Sequence, residues 1–340
     1  MKISLENIAD ILNSEQNFTI VTHKNPDGDA IGSSLAIFNI LKILGKNIRV
    51  LCSDFIPYNF RFLNNNYKGT KFENFVQIAK NFEEDDEESY IISVDLASAN
   101  LLGSGLCFLK KKINLCLDHH SSNDNYAEST FVDKKAAATC EIIYKISKIL
   151  NVSSSEIATC MYTGIVTDTG GFSHANVTKN THKITSELIT MGANNVLVSK
   201  KIFASKTLKE IKLKARVLDS IELVLNKRCA FCKLENRDLE ELRASKENAH
   251  GFASIPREIE NVLIGVFLRE ESKDLWKVSI RTEVGIDASK ICKSFGGGGH
   301  INASGCLIGG PLKKVKHELT EKISEHIQKF LLKHNMRKNF

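Results

Sequence analysis

The sequence predicts an α/β protein with an N-terminal domain, in which helices flank a mainly parallel sheet, and a smaller α/β domain after it. Over the first half of the chain, short apolar runs alternate with longer segments of helical periodicity, which is typical of strand–helix units. Several of these apolar runs end in an acidic or His residue. With 340 residues, the chain is also long enough to form two cores.

The first strand–helix unit carries the first motif. An apolar run over residues 18–22 predicts a strand, and a helical pattern follows over residues 31–44. The strand leads into His23, and the tight loop between the two elements carries Asp27 and Asp29. Open α/β sheets bind ligands at the carboxyl ends of their strands, and imidazole with carboxylate oxygens suits Mn²⁺, Mg²⁺ or Zn²⁺. By itself, a loop of this kind is more often a solvated turn.

The same pattern recurs further along the chain. Acidic or His residues follow apolar runs or buried segments at Asp95, at Asp118, His119 and His120, and at Asp168. One buried strand that ends in a carboxylate is unremarkable. Several such ends in one domain would repel one another and would be costly to desolvate, unless a cation lies between them. The pattern therefore predicts a dinuclear metal site.

The remaining elements follow from periodicity. Residues 134–150 predict a helix, with residues 136–139 in its first turns. Residues 196–226 contain no Gly or Pro and predict a long helix or a helix pair that serves as a connector. Beyond it, strands are predicted over residues 228–234, 262–269 and 276–281, and a basic helix near residues 312–334.

Four consecutive glycines, residues 296–299, precede His300 in the second half of the chain. Such a run is either a flexible surface loop or a set of backbone N–H groups that hold phosphate oxygens. In the second case His300 adds a charge or a hydrogen bond. Arg281 ends the predicted strand before the run, and its guanidinium suits bidentate capture of phosphate. Together these residues favour a phosphate site.

Composition narrows the class of protein. A hydrophobic content of 42% with 25% charged residues is that of an ordinary soluble globular protein, and a net charge of +6 permits a phosphate-bearing substrate. The nine cysteines fit reduced thiols in a cytoplasm. Cys229 and Cys232 are either a metal-binding pair or core thiols. The start of the chain lacks a signal-peptide pattern and the apolar run 91–109 contains Asp95, so neither secretion nor a membrane span is predicted.

These motifs together resemble those of the DHH phosphoesterases, in the family's order and approximate spacing. The residues that carry the resemblance are His23, Asp27, Asp29, Asp95, Asp118, His119, His120, Asp168 and the glycine run that ends at His300. It covers nearly the whole chain, because the C-terminal part resembles the DHH-associated domain. The resemblance implies a catalytic metal-binding domain over residues 1–190, a helical linker over 191–225, and a substrate-binding domain over 226–340 across a cleft.

The resemblance also implies roles. Two divalent cations are implied, with Mn²⁺ preferred and Mg²⁺ as the second choice. The first cation would be held by His23, Asp27 and Asp95. The second would be held by Asp29, Asp95, His119 and Asp168, so that Asp95 bridges the two. The catalytic pair would be Asp118, which supports the loop, and His120, beside the scissile phosphate. The substrate-binding residues would be Arg281, Gly297, Gly298, Gly299 and His300.

Among DHH phosphoesterases, a two-domain chain of this kind is most similar to the nanoRNase branch. This implies hydrolysis of very short oligoribonucleotides to 5′-mononucleotides and of 3′-phosphoadenosine 5′-phosphate to AMP. Asn123 matches an Asn that often follows the DHH motif, whereas Leu101 stands where many relatives carry Arg. This departure bears on substrate preference only. The short RNA and the bisphosphate would be the binding partners, and the sequence leaves a homodimer open.

Other functions remain open at this point. The main alternative is a stand-alone phosphodiesterase that cleaves c-di-AMP or pApA, since that class shares both domains. A manganese pyrophosphatase shares the metal ligands but has a different second domain. A RecJ-type exonuclease would usually carry an additional nucleic-acid-binding domain, for which 340 residues leave little space. A non-catalytic binding protein would have no need of a complete ligand set.

Overall fold

The computed structural model describes residues 2–64, 76–78, 89–249, 251–299 and 301–334. The chain forms two compact units, Met1–Ser205 and Lys206–Phe340. Each unit has a sheet and a hydrophobic core of its own. The α/β class predicted from the sequence is therefore confirmed in both parts of the chain.

The first unit contains a six-stranded sheet in which every pairing is parallel. Its strands are β1 (Asn17–Val21), β2 (Asn47–Cys52), β3 (Val76–Ile78), β4 (Tyr90–Val94), β5 (Leu115–Asp118) and β6 (Ser129–Val132). The strand order β3-β2-β1-β4-β5-β6 is that of a doubly wound sheet. It reverses between β1 and β4, and such reversal points are where these sheets bind ligands.

Within the described residues, six α-helices accompany this sheet. They are α1 (Leu5–Ser14), α2 (Gly28–Ile43), α3 (Thr139–Leu150), α4 (Ser155–Asp168), α5 (Lys179–Thr190) and α6 (Asn195–Phe203). Helices α2 and α4 are buried along most of their length and pack against each other. Gly28, Gly32 and Gly164 permit this close approach, because a Cβ at each would collide with the opposite helix or with Asp29.

The second unit contains a mixed six-stranded sheet, in the order β11-β12-β10-β9-β8-β7. Its strands are β7 (Glu222–Val224), β8 (Cys229–Leu234), β9 (Ile264–Ser272), β10 (Leu275–Thr282), β11 (Gly298–Gly299) and β12 (Ala303–Gly309). The helices are α7 (Leu208–Asp219), α8 (Asn236–Glu241), α9 (Ala288–Lys293) and α10 (Leu312–Lys333). The pairing of β8 with β9 is parallel and the other pairings are antiparallel.

The structure differs from the sequence-based prediction in two places. Helix α3 begins at Thr139 and not at residue 134, because the carbonyls of Ala136 and Ala137 accept hydrogen bonds from distant side chains and Ala138 is an extended N-cap. The predicted helical linker, residues 191–225, contains α6 and α7 but ends in strand β7. Residues 225–227 then turn the chain with φ of 50°, 51° and 62°. This tight turn contains neither Gly nor Pro, the residues whose absence led to the prediction of a helical connector here.

Two other predictions concern the cysteines and the membrane. Cys229 and Cys232 are both buried in β8, but Cys229 packs in one hydrophobic cluster and Cys232 in another. Because residues three apart in a strand face opposite sides, these two thiols do not face a common site. Within the described ranges, the search for a helix long and apolar enough to cross a membrane found none.

The close contact of α2 with α4 predicts that Gly32→Ala destabilises the protein. A Cβ at residue 32 would lie 2.6 Å from the backbone oxygen of Cys160, which a side-chain rotation cannot relieve. Alanine gains about 1 kcal/mol over glycine in a helix, whereas overpacking of this severity costs about 3 kcal/mol. We therefore expect the free energy of unfolding in urea to fall by about 2 kcal/mol. The exposed helix substitution Ser186→Ala is the control, and a Gly32→Ala protein as stable as that control would contradict the prediction.

Candidate metal centre

The candidate metal centre lies at the carboxyl ends of three neighbouring strands. His23 comes two residues after β1, Asp95 follows β4 directly, and His119 and His120 follow β5. The first two therefore flank the point where the strand order reverses. Asp95 has a φ of 54°, in the left-handed region that residues other than Gly rarely adopt. Strained backbone of this kind concentrates at functional sites.

Helix termini supply the other three carboxylates. Asp27 is the N-cap of α2, where its Oδ1 accepts hydrogen bonds from the N–H groups of Asp29 and Ala30, each at 3.1 Å. Asp29 lies in the first turn of the same helix and is fully buried. Asp168 is the last residue of α4. The sheet and two helix ends thus converge on one place.

The structure brings seven of the predicted residues into three overlapping groups, whose ligand atoms lie within 4.8 Å of one another. The groups are His23, Asp27 and Asp95; Asp29, His119 and Asp168; and Asp95, His119 and His120. His23 Nε2 lies 3.7 Å from Asp95 Oδ2, and His119 Nε2 lies 3.3 Å from Asp168 Oδ2. Asp95 and His119 each belong to two of the groups.

Backbone carbonyls fix the orientation of two imidazoles. His23 Nδ1 lies 2.8 Å from the carbonyl oxygen of Lys24, and His119 Nδ1 lies 3.2 Å from that of Ala136. Because a carbonyl only accepts hydrogen bonds, Nδ1 carries the proton in both rings. When such a ring is neutral, as metal binding requires, the lone pair of Nε2 lies on the side of the carboxylates and is available to a cation. Metal-binding histidines in proteins are oriented in this way.

The N-terminus of α3 holds the buried Asp29 carboxylate. One Asp29 oxygen accepts a hydrogen bond from the Thr139 N–H at 2.5 Å and the other accepts from the Cys140 N–H at 3.0 Å. The hydroxyl of Thr139 donates to Asp95 Oδ1 at 3.0 Å. The N-cap residue Ala138 has no side chain that could cap the helix. Sequence reasoning missed Thr139 and Cys140. The one signal was an Ala at the N-cap, which means that the first N–H groups of α3 need an acceptor from another part of the chain.

Asp118 is buried and faces its own loop. Its carboxylate accepts hydrogen bonds from the His119 N–H at 2.8 Å, from His120 Nδ1 at 2.7 Å and from Asn123 Nδ2 at 2.6 Å. Burial raises the pKa of Asp118, but the hydrogen bonds and the charge of His120 lower it by a larger amount, so the net shift is downward. The same contact raises the pKa of His120 against the effect of burial. Asp118 and His120 therefore form a hydrogen-bonded carboxylate–imidazole pair beside the cluster, which favours the charged form of the ring.

The cluster carries more negative charge than its own residues neutralise. Burial, followed by the charge of Asp95, raises the pKa of Asp29 to about 7. Burial and the neighbouring carboxylates raise the pKa of Asp168 well above its usual range. Burial opposes protonation of His23, but the nearby carboxylates of Asp27 and Asp95 raise its pKa to about 11. Carboxylate oxygens and neutral imidazoles bind divalent cations such as Mn²⁺, so this donor set fits a metal centre.

The predicted phosphate-binding residues lie in the second unit. Arg281, near the end of β10, is half-buried, its Nη1 donates to the carbonyl of Ile280 at 3.1 Å, and burial lowers its pKa. The last two glycines of the run form β11, and Gly299 pairs with Ser304 while Arg281 pairs with the adjacent Ala303. The end of the run is therefore an ordered strand close to Arg281. His300 lies outside the described residues.

Comparison with known proteins identifies the family. Residues 17–165 match the DHH family, N-terminal domain, and residues 226–330 match the DHHA1 domain. Over 324 residues the chain is 30% identical to the bifunctional oligoribonuclease and PAP phosphatase NrnA of Thermus thermophilus. The matched region covers 92% of this chain and 94% of that protein. The chain belongs to the DHH family. The resemblance inferred from the motifs is confirmed.

Further DHH relatives agree. A protein of the same name from Bacillus subtilis is 26% identical over 85% of this chain and 89% of its own. The one from Mycoplasma genitalium is 25% identical over 95% of this chain and 98% of its own. The crystal structure of an exopolyphosphatase-related protein from Bacteroides fragilis has a TM-score of 0.86 at 23% identity, with 94% of this chain and 95% of that chain covered. It shows that the fold is shared along the chain.

The bond from Thr139 to Asp95 predicts the effect of Thr139→Val, which keeps the shape of the side chain and removes the hydroxyl. A buried hydrogen bond to a charged group contributes about 1.5–3 kcal/mol. We expect the free energy of unfolding of the metal-free protein in urea to fall by that amount. Thr185→Val is the matched control, because the buried Thr185 hydroxyl donates to the Thr181 carbonyl within α5. Equal losses in the two variants would contradict the assignment of the Thr139 hydroxyl.

The pKa shifts predict how the stability of the metal-free protein depends on pH. The pKa of Asp29 rises from 3.8 to about 7 and that of His23 from 6.5 to about 11, so the folded state binds more protons than the unfolded state at neutral pH. Stability then falls as pH rises from about 6 to 8. We expect the Tm in EDTA to decrease over this interval and Mn²⁺ to oppose the decrease, since the cation displaces protons. A Tm in EDTA that rises with pH would refute this.

Proposed function

We propose that this chain is a metal-dependent phosphoesterase that hydrolyses very short oligoribonucleotides to 5′-mononucleotides and converts 3′-phosphoadenosine 5′-phosphate to AMP. One observation carries the proposal: the predicted DHH ligands form a single cluster in a chain that matches an oligoribonuclease and PAP phosphatase along its length. The alternative, a stand-alone c-di-AMP or pApA phosphodiesterase, is not favoured, because the relatives named above carry the oligoribonuclease name.

Two divalent cations, preferably Mn²⁺, are proposed for the cluster. The first would be held by His23, Asp27 and Asp95, and the second by Asp29, Asp95, His119 and Asp168. Bound cations of this kind lower the pKa of water and neutralise charge on phosphoryl oxygens. The residues themselves fix the site in advance: the Thr139 hydroxyl and the backbone N–H groups of α3 hold two of the carboxylates in place.

His120 is proposed as the catalytic residue that donates a hydrogen bond to the substrate. Its Nδ1 is bonded to Asp118, whose negative charge favours the imidazolium form. An imidazolium carries a second N–H at Nε2, and we assign this group to a non-bridging or leaving oxygen of the phosphate. Asp118 acts through His120, since its carboxylate is fully buried and bonded to the loop.

The second unit is proposed to hold the other end of the substrate. A guanidinium binds phosphate in a bidentate manner, and Arg281 lies beside the glycine run in the sheet register. Gly297 and Gly299 have no room for a Cβ, because it would collide with the backbone of β12. At Gly298 a Cβ would meet nothing within 4 Å, so a substrate could approach the main chain at this glycine. The role of His300, a clamp across a cleft, a homodimer and a cytoplasmic location all stay predictions.

A competition assay with purified protein and Mn²⁺ tests the function. The substrates are an RNA dinucleotide, a 24-nucleotide RNA, pApA, c-di-AMP, 3′-phosphoadenosine 5′-phosphate and pyrophosphate. We expect fast hydrolysis of the dinucleotide, pApA and the bisphosphate, and slow hydrolysis of the long RNA, c-di-AMP and pyrophosphate. Dominant c-di-AMP cleavage would refute the oligoribonuclease proposal and move the protein to second-messenger turnover.

Asp168→Ala tests whether the cluster is responsible for this activity. Substitutions next to metal ligands already cost 10- to 100-fold, so loss of a ligand should reduce kcat by more than about 100-fold while the circular dichroism spectrum is unchanged. Asp219→Ala is the control, because Asp219 is likewise the last residue of a helix, α7, and is exposed. Activity retained in Asp168→Ala would exclude the proposed centre.

A further inference from the structure

The segment after α4 folds back onto the metal centre. The side-chain amide of Asn176 lies 3.2 Å from the carbonyl oxygen of Asp168 and 3.0 Å from the carbonyl oxygen of Ala137. We infer that Asn176 is a positioning residue of the metal centre. Its side chain links the segment before α3 to the end of α4. This inference rests on the proposed function, because it assigns a role toward the same cations.

The two carbonyls belong to segments that carry different ligands. Asp168 ends α4, and its carboxylate lies 3.3 Å from His119 Nε2. Ala137 follows Ala136, whose carbonyl orients His119, and it precedes the N-terminus of α3, which holds Asp29. Because Asn176 is bonded to both carbonyls, it fixes the separation between Asp168 and the two residues grouped with it, Asp29 and His119.

The chemistry of the tie matches an amide. A primary amide has two N–H donors on one nitrogen, so a single Asn side chain serves two carbonyl oxygens at once. The last carbonyls of a helix lack partners within the helix, and Asp168 is such a residue. His174 Nδ1 donates to the same Asp168 carbonyl at 3.2 Å. A Cβ at Gly170 would collide with the His174 ring, so the glycine lets the segment fold back.

The tie opposes a specific force. Ligand atoms of Asp29 and Asp168 lie within 4.8 Å of each other, and two ionised carboxylates at that distance repel, which favours separation of the segments that carry them. Asn176 itself is exposed and adds little buried surface. Its substitution should therefore leave the fold intact, while it lets the ligand segments separate before a cation binds.

Calorimetric titration with MnCl₂, without substrate, tests the inference. Residues that orient metal ligands typically contribute 10- to 100-fold to metal affinity, and we expect Asn176→Ala to bind Mn²⁺ weaker by about that factor. Asn176→Ser keeps one hydrogen-bond donor and should lie between Asn176→Ala and the unsubstituted protein. Asn114→Ala is the matched control. The side chain of Asn114 accepts from the Ile91 N–H at the amino ends of β4 and β5, whereas the cluster lies at the carboxyl ends of the strands. Its Mn²⁺ affinity should stay within about twofold of the unsubstituted protein.

Turnover supplies a second measurement. If Asn176 acts through the cations, saturating Mn²⁺ restores kcat in Asn176→Ala and leaves KM for the RNA dinucleotide unchanged. If a folded Asn176→Ala protein binds Mn²⁺ as tightly as the unsubstituted protein, the inference is overturned and the proposed function stands. If its KM is raised at the same time, Asn176 is a substrate contact instead. Absence of Mn²⁺ binding by the unsubstituted protein overturns the metal centre and this inference with it.

Discussion

The metal centre depends on the two hydrogen bonds that the N-terminus of α3 makes to the Asp29 carboxylate. Asp29 is fully buried beside Asp95, where a carboxylate without donors would be protonated or excluded. The N–H groups of Thr139 and Cys140 occupy both of its oxygens, and the helix dipole adds positive potential at the same point. In return, the carboxylate replaces the side-chain cap that Ala138 cannot provide. Helix α3 and the cluster therefore stabilise each other.

The magnitudes explain why these donors do not replace a cation. Two hydrogen bonds to a charged group contribute about 3–6 kcal/mol together. Two like charges 4.8 Å apart repel by about 3.5 kcal/mol at an effective dielectric constant of 20. Backbone donors thus balance one neighbouring carboxylate, but Asp29 faces charges from Asp95, Asp27 and Asp168. The remaining excess is what a divalent cation would neutralise, so the same residues that cost stability without metal would hold it tightly.

The sequence predicted the cluster because strand ends are visible in a sequence. Apolar runs mark the strands, and in a parallel sheet their carboxyl ends share an edge, so His23, Asp95 and His119 had to lie close together. The supporting contacts are not visible in this way. Residues 136–138 have the composition of a helix, but the carbonyl of Ala136 accepts from His119 and that of Ala137 from Asn176. These partners come from distant parts of the chain, and tertiary contacts override the local preference.

The residues proposed for metal binding and those proposed for substrate choice lie in different units of the chain. Every side chain in the cluster lies between residues 23 and 168, within the first unit, whereas the second unit supplies Arg281 and the glycine run. Leu101 illustrates the same separation on a small scale. Its carbonyl accepts the Lys24 N–H at 2.7 Å and so anchors the loop that begins at His23, whichever side chain it carries. Its side chain is exposed and takes no part in this bond, so the Leu in place of the Arg of many relatives leaves the ligand loop unchanged, and its bearing on substrate preference stays a prediction.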